Sequence, residues 1–459
     1  MKKTLTLLMA ACMFLTFFVG CQSQAPATVD EPTPVPTAAP TPEPATPEPA
    51  TPEPEEVVTI EFYTWEESLK DNNAAVIAAF EAKYPNIKVN INYPVENDNA
   101  AYTEKMDLLL TSNTQIDCMM ESAVSRMANK ADRGVYQSLD SLIAAEGITY
   151  EDIYTVSSIV DGSYYGFPID VTPWFVMMNK KMLDEAGLPI PSLDWTWDDY
   201  REYAKKLTAD SSAEKGSYFH TWNNYYLMGM YSAKMDNAMF KADGSLAFDE
   251  PAFKDWLQFR WDMENVDKSS VSLTDVKAGE LAYRDQYFNE HVAMLPTGTW
   301  MIAEIKDSEK WPHDFQTVFV PLPNWKDSPK GRTFSDTKML SIPKNAQYPE
   351  QAYEFIRFYT TEGAVIRAGG FPAIVGADTK AVIDTLVGDN PDALYDMASL
   401  YAVFSNPNIV QNAPIMTPSY NQEMTDMFIA ECEVYLMGGE SLDDCIANIM
   451  SNGEAIMKK

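Results

Sequence analysis

Apolar positions along the chain fall into three regimes. Lys2 and Lys3 precede an apolar run from about Leu5 to Gly20, the layout of an export signal: a positive start, a greasy middle and a small residue at the end. A permanent bilayer span needs about 20 apolar residues, so this run of about 16 is short for one. From Gln22 to Glu56 apolar positions thin out and proline takes over. From Val57 onward the pattern becomes that of a folded body.

Val57 to Trp65 is rich in β-branched and aromatic residues and predicts a strand. Asp71-Asn72-Asn73 offers caps for a helix whose face carries Val76, Ile77, Phe80 and Tyr84, and Pro85 stops it. Ile87 to Tyr93 alternates as a second strand. A helix around Tyr102 to Leu110, with Met106 and Leu110 on one side, leads to a short strand near Ile116 to Met120. Strand, helix, strand, helix, strand predicts a parallel sheet of the α/β class. Asp161 to Pro168 predicts a hairpin, and Trp174 to Met178 another strand. Thr196 with Asp199 three residues on forms a capping box before a helix whose face carries Tyr200, Tyr203, Ala204 and Leu207. Gln351 to Tyr359 and Met424 to Leu436 predict two further amphipathic helices.

Composition narrows the partners. The 459 residues carry 34 basic and 67 acidic side chains, a net charge of -33. Such a chain repels a phosphate backbone, which excludes nucleic acid as a partner, and it disfavours adsorption to anionic lipid through the protein's own face. The export segment contributes +2 and residues 22–56 contribute -7, so -28 belongs to the remainder. At 46% hydrophobic and 12% aromatic residues, a large core is expected. Residues 22–56 hold eleven of the thirty prolines, and Ala-Thr-Pro-Glu-Pro occurs twice in succession from Ala45 to Pro54. This composition predicts a disordered linker, an extended stalk that self-repulsion stiffens and that reaches about 100 Å when fully stretched. Of the five cysteines, Cys12 lies in the export segment, and Cys118, Cys432 and Cys445 show no paired metal spacing. Cys432 and Cys445 are expected as buried free thiols, with a disulfide between them the alternative in an exported protein.

Phe18-Val19-Gly20-Cys21 resembles the lipobox of bacterial lipoproteins, with phenylalanine where an aliphatic residue is usual. The resemblance implies a signal peptide over 1–20 and acylation of Cys21, the mature N-terminus; the alternative is an ordinary cleaved signal with Cys21 incidental. Two or three acyl chains would hold the protein at the membrane, each buried methylene contributing about 0.8 kcal/mol. The expected location is the outer face of a bacterial, Gram-positive cell membrane, with residues 21–56 as lipidated cysteine and spacer.

A second resemblance covers the chain from about residue 57 to its end. The ordered set "AAVIAAFEAKYP" (Ala74 to Pro85), "DGSYYGFP" (Asp161 to Pro168), "MNKKMLDEAGL" (Met178 to Leu188), "WTWDDYREYAKKL" (Trp195 to Leu207), "HVAMLPTGTW" (His291 to Trp300) and "PEQAYEFIRFYT" looks like the extracellular solute-binding proteins of ABC importers. It is similar to the family 1 sugar-binding type that includes maltose-binding protein. The resemblance implies a two-lobed, periplasmic-binding-protein-like α/β fold of type II with a hinge between the lobes. By analogy one lobe comprises residues 57–169 and 332–372, and the other 172–328 and 376–459. The crossing strands are then expected near Ile169 to Pro173, Ser328 to Phe334 and Pro372 to Gly376. It further implies a monomer that takes a carbohydrate into the interlobe cleft and hands it to ABC permease subunits.

No catalytic signature is present: no G-x-S-x-G, phosphate loop, dinucleotide fingerprint or H-E-x-x-H, and His220, His291 and His313 lack ligand spacing. The expectation is a binding protein without cofactor, metal or chemistry of its own. A carbohydrate cleft needs flat aromatic faces beside groups that bond hydroxyls. Tyr63, Trp65, Glu66 and Glu67 stand at the end of the first strand, where ligands bind in open α/β sheets. Glu121 follows the strand Ile116 to Met120. Asp170 and Trp174 lie at the first crossing segment. Phe219, Trp222 and Asn223 match the region that gives the family stacking aromatics, and Trp300 ends the turn Gly298-Thr299-Trp300. Phe371 and Tyr420 complete the set. For each aromatic the competing role is core packing, and for each acid a solvated surface. Because these segments contain almost no Lys or Arg, the expected ligand is a neutral oligosaccharide. The remaining alternatives are a surface-anchored carbohydrate hydrolase and a ligand-sensing module for a signalling receptor.

Overall fold

A computed structural model describes residues 56–233, 238–241, 243–406, 410–412 and 420–458. The export segment, Cys21 and the proline-rich linker lie outside these residues. The strands are β1 (Val58–Tyr63), β2 (Ile87–Asn92), β3 (Cys118–Glu121), β4 (Ile159–Val160), β5 (Ser163–Tyr164), β6 (Phe167–Asn179), β7 (Lys215–Ser217), β8 (Val292–Gly298), β9 (Thr317–Pro321), β10 (Arg332–Ser341), β11 (Phe371–Pro372) and β12 (Val410–Asn412). All but β4 and β5, which form a separate two-stranded sheet, assemble in the order β2-β1-β3-β10-β6-β8-β7, with β9 and β11 added to β6 and β12 to β10.

The parallel sheet expected from the sequence holds for β2, β1 and β3. The sheet as a whole is mixed, because β10 pairs antiparallel with both β3 and β6. β10 enters from more than 200 residues downstream, beyond the reach of any local pattern. β6 is far longer than the strand expected over Trp174 to Met178, and nearly all of it is buried. Its first half pairs with β10 and β11, and its second half, from Trp174 on, with β8 and β9. One continuous strand therefore belongs to both halves of the sheet.

Local chemistry accounts for most of the elements. In the hairpin of β4 and β5, Asp161 and Gly162 both take positive φ (48° and 85°), the requirement of a two-residue I′ turn. The capping box forms: Thr196 Oγ1 accepts from the Asp199 amide (3.2 Å) and the Asp199 carboxylate from the Thr196 amide (2.8 Å). The helix it opens, Trp197–Asp210, buries Trp197, Tyr200, Ala204 and Leu207. The helices Pro349–Thr360 and Asn421–Leu436 cover their expected spans and extend them by a few residues.

Two starts differ from expectation. The helix Lys70–Lys83 begins at Lys70, so Asp71 to Asn73 lie inside its first turn instead of capping it. Asn73 is buried there, donating to the Tyr93 hydroxyl (3.2 Å) and accepting from that of Tyr359 (2.7 Å). The next helix, Asn99–Leu110, starts three residues early because Asp98 caps it through the Ala101 amide (3.0 Å). Cys118, Cys432 and Cys445 are buried and unbridged. Burial and the adjacent Cys445 push the Cys432 thiol well above its ordinary pKa.

Candidate functional site

Registered partners on β6 and β10 share a face, and alternation puts Asp170, Thr172 and Trp174 on one side with Lys338 and Phe334. Two groups of side chains occupy the ends of this face, one ionic and one aromatic.

The ionic group is a closed ring of four. Lys338 Nζ bonds Glu66 (2.7 Å) and Asp170 (2.8 Å), and the Arg367 guanidinium bonds Asp170 (3.1 Å) and Glu66. Each cation touches both acids. Burial pushes the Glu66 carboxyl up, but Arg367 and then Lys338 outweigh it and hold it at about 2. Asp170 Oδ1, Arg367 Nε and the neighbouring Thr337 hydroxyl are buried without partners among the described residues. Gly369 and Gly370 permit the close approach of the chain, since a Cβ there would stand 2.8 Å from the Arg367 guanidinium and 3.0 Å from Asp170 Oδ2. The ring joins the end of β1 to β6, to β10 and to the segment before β11.

The aromatic group begins at Trp174. Its ring stacks on Phe334 (4.8 Å) and meets Tyr225 (5.2 Å) and Trp300 (5.4 Å) edge-on. Trp300 lies 5.9 Å from Trp222 and donates its indole N–H to the Tyr283 hydroxyl (3.1 Å). His220 sits between Trp222 (4.8 Å) and Tyr283 (5.4 Å). Trp222 is 39% exposed, whereas Trp174 is buried. Gly298 makes room for Trp300, because a Cβ at that position would stand 2.0 Å from the indole. Arg284, over the Tyr283 ring at 4.6 Å, is bidentate to Glu304 (2.6 Å, 2.6 Å).

The structure brings together Glu66 with Asp170, and Trp174 with Trp222 and Trp300. The other sequence candidates lie elsewhere. Tyr63 is buried at the end of β1, its carbonyl accepting from Tyr102 (3.1 Å), and Trp65 is half-buried against that tyrosine (5.2 Å). Glu67 points outward, 3.5 Å from Lys70. Glu121 is buried in its own network with Lys130 (2.7 Å) and the Tyr136 hydroxyl. Phe219 is buried beneath the Arg260 guanidinium (5.2 Å). Asn223 is exposed and its side-chain oxygen accepts from the Asn224 amide (2.9 Å). Phe371 stacks on Phe404 (4.9 Å), which packs on Phe175 (5.3 Å) across β6 from Asp170 and Trp174. Tyr420 is half-buried near Phe240 (6.1 Å).

Sequence reasoning missed Lys338, Arg367, His220, Tyr283 and Phe334. An arginine shortly before a glycine pair was the available signal for Arg367, whereas Lys338 stands in a largely polar strand and carries none. Tyr283 and Phe334 carry none.

Comparisons with known proteins agree with this architecture. An arabinooligosaccharide-binding protein of Halalkalibacterium halodurans is 26% identical over 175 residues, 36% of this chain and 37% of that protein. A multiple sugar-binding protein of Streptococcus mutans is 22% identical over 328 residues, 68% of this chain and 73% of the relative. The solved ABC substrate-binding protein of Listeria monocytogenes in complex with cycloalternan superposes with a TM-score of 0.71 at 20% identity, covering 88% of this chain and 99% of that one. That likeness establishes the two-lobed α/β fold. Residues 60–366 match the family described as bacterial extracellular solute-binding protein, and the chain belongs to that family.

Proposed function

We propose that the protein captures a neutral oligosaccharide in the cleft between its lobes and delivers it to an ABC permease without altering it. The observation that carries this reading is the aromatic group at the β6–β10 crossing, with Trp222 exposed and an ionic ring at the other end of the same face. Sugar rings present apolar C–H faces to indoles and hydroxyl edges to charged and amide groups. Lys338, Arg367 and Arg284 are each bonded to carboxylates, so these three are not free to attract a uronate or sulfate. The arabinooligosaccharide-binding, multiple sugar-binding and cycloalternan-bound relatives support the same ligand class.

In this reading, residues 57–169 with 332–372 and residues 172–328 with 376–459 are the two lobes, and ligand binding favours the closed form that a permease recognises. An acyl group on Cys21 and the following linker hold the body at the outer membrane face. Replacing Cys21 by Ala should then release the protein into the medium.

Calorimetric titration with malto-, arabino- and cello-oligosaccharides tests the ligand, and chromatography of the mixtures tests for cleavage. One class should bind at micromolar affinity or tighter and be recovered intact. Silence of every sugar, or release of shorter products, overturns the reading.

A further inference from the structure

His220 belongs to the aromatic group, yet its histidine chemistry is unused by stacking. Its Nδ1 lies 2.7 Å from the Tyr218 hydroxyl, and that hydroxyl also lies 2.7 Å from the carbonyl oxygen of Leu281. A carbonyl only accepts, so the single phenolic proton goes to Leu281. Towards His220 the phenol oxygen is therefore the acceptor, and Nδ1 carries the proton. Burial, then Arg284, lowers the imidazole pKa to about 4, so the ring is neutral at pH 7. A neutral imidazole with its proton on Nδ1 has a lone pair on Nε2. Among the described residues no partner occupies Nε2, and the atom is not among the enclosed unpartnered ones.

The geometry points to His220 as a specificity-determining residue: its Nε2 accepts a hydrogen bond from one hydroxyl of a sugar ring stacked on Trp222. The assignment rests on the carbohydrate reading above for the identity of the donor, whereas the tautomer rests on the Tyr218 and Leu281 contacts alone. A fixed acceptor beside a stacking face discriminates strongly. A sugar lacking that hydroxyl leaves a desolvated lone pair unpaired, which selects against it more sharply than a change in apolar contact does.

Two measurements test this. Nitrogen-15 spectra of protein labelled at histidine, taken without ligand at pH 7, should show His220 with a protonated Nδ1 and an unprotonated Nε2; the opposite tautomer overturns the inference whatever the ligand proves to be. A scan of monodeoxy analogues of the tightest-binding member of the titration panel should then find one position whose loss weakens binding about tenfold. In His220→Phe the parent sugar should bind about tenfold more weakly, and that deoxy analogue should lose nothing further. Equal deoxy penalties in both proteins overturn the acceptor role while leaving the carbohydrate reading intact. Silence of the whole panel overturns both. Should His220→Phe not fold, the deoxy scan and spectra of the unsubstituted protein decide: no position with a penalty refutes the role.

Discussion

Replacing Lys338 with Met removes one of the two cations of the buried ring while keeping a chain of similar length. In the intact ring Glu66 has fallen from an ordinary 4.5 to about 2. That shift amounts to about 3 kcal/mol, shared between Arg367 and Lys338. The variant forfeits the share of Lys338 and also leaves Glu66 and Asp170 facing a single guanidinium. Stranding buried charge in this way costs several kcal/mol, so a loss of about 3 kcal/mol at pH 7 is expected. For a body of about 400 residues this corresponds to about 4 °C in Tm. The pH dependence identifies the cause. A carboxylate whose folded pKa is depressed contributes stability that is complete above its unfolded value of 4.5 and is lost as the pH falls through about 2. Calorimetry should therefore find the gap between native and variant full at pH 7 and narrowing from pH 4.5 downward. Lys338→Arg, which retains the charge, should close most of it. A gap equal at pH 7 and pH 3, or no gap at pH 7, refutes the electrostatic account of the ring.

Other expectations follow from single contacts. Gly298→Ala should displace the Trp300 indole, whose Cζ3 would lie 2.0 Å from the new Cβ, weakening ligand affinity at least tenfold by titration. Thr196→Ala removes the capping box before Trp197–Asp210 and should cost about 1 kcal/mol in urea unfolding, with ligand affinity unchanged. Cys118, Cys432 and Cys445 are fully buried, so the three thiols should resist an aromatic disulfide reagent in the native protein and react once it is unfolded; rapid native reaction would contradict the burial.

The elements that a short window specifies were legible. The Thr196 box, the Asp161-Gly162 turn and the apolar face of Val76 and Phe80 each depend on neighbours within four residues. What was not legible depends on distance along the chain. Lys338 meets Glu66 across 272 residues and Arg367 meets it across 301, so Glu66 reads as a solvated turn until the fold closes around it. The same holds for β10, whose antiparallel insertion beside β3 turned an expected parallel sheet into a mixed one. Trp174, Trp222 and Trp300 were identified from family resemblance and come together in space, while His220 was set aside for lack of metal-ligand spacing, which carries no information about its contacts with Tyr218, Trp222 and Tyr283. Glu121, Phe219 and Phe371 show the converse: residue types suited to a sugar site, held in closed packing or ion-pair networks.

Under the proposed function, the exposed indole of Trp222, packed on Trp300, receives a neutral sugar. Titrating the native protein and Trp222→Ala with the same oligosaccharide panel, followed by calorimetry and tryptophan fluorescence together, tests it most directly. One sugar class should bind at micromolar affinity or tighter with a change in indole emission, and Trp222→Ala, still folded by calorimetry, should lose at least tenfold in affinity. Sugar binding that is indifferent to Trp222, or tight binding of a uronate oligomer, would contradict it.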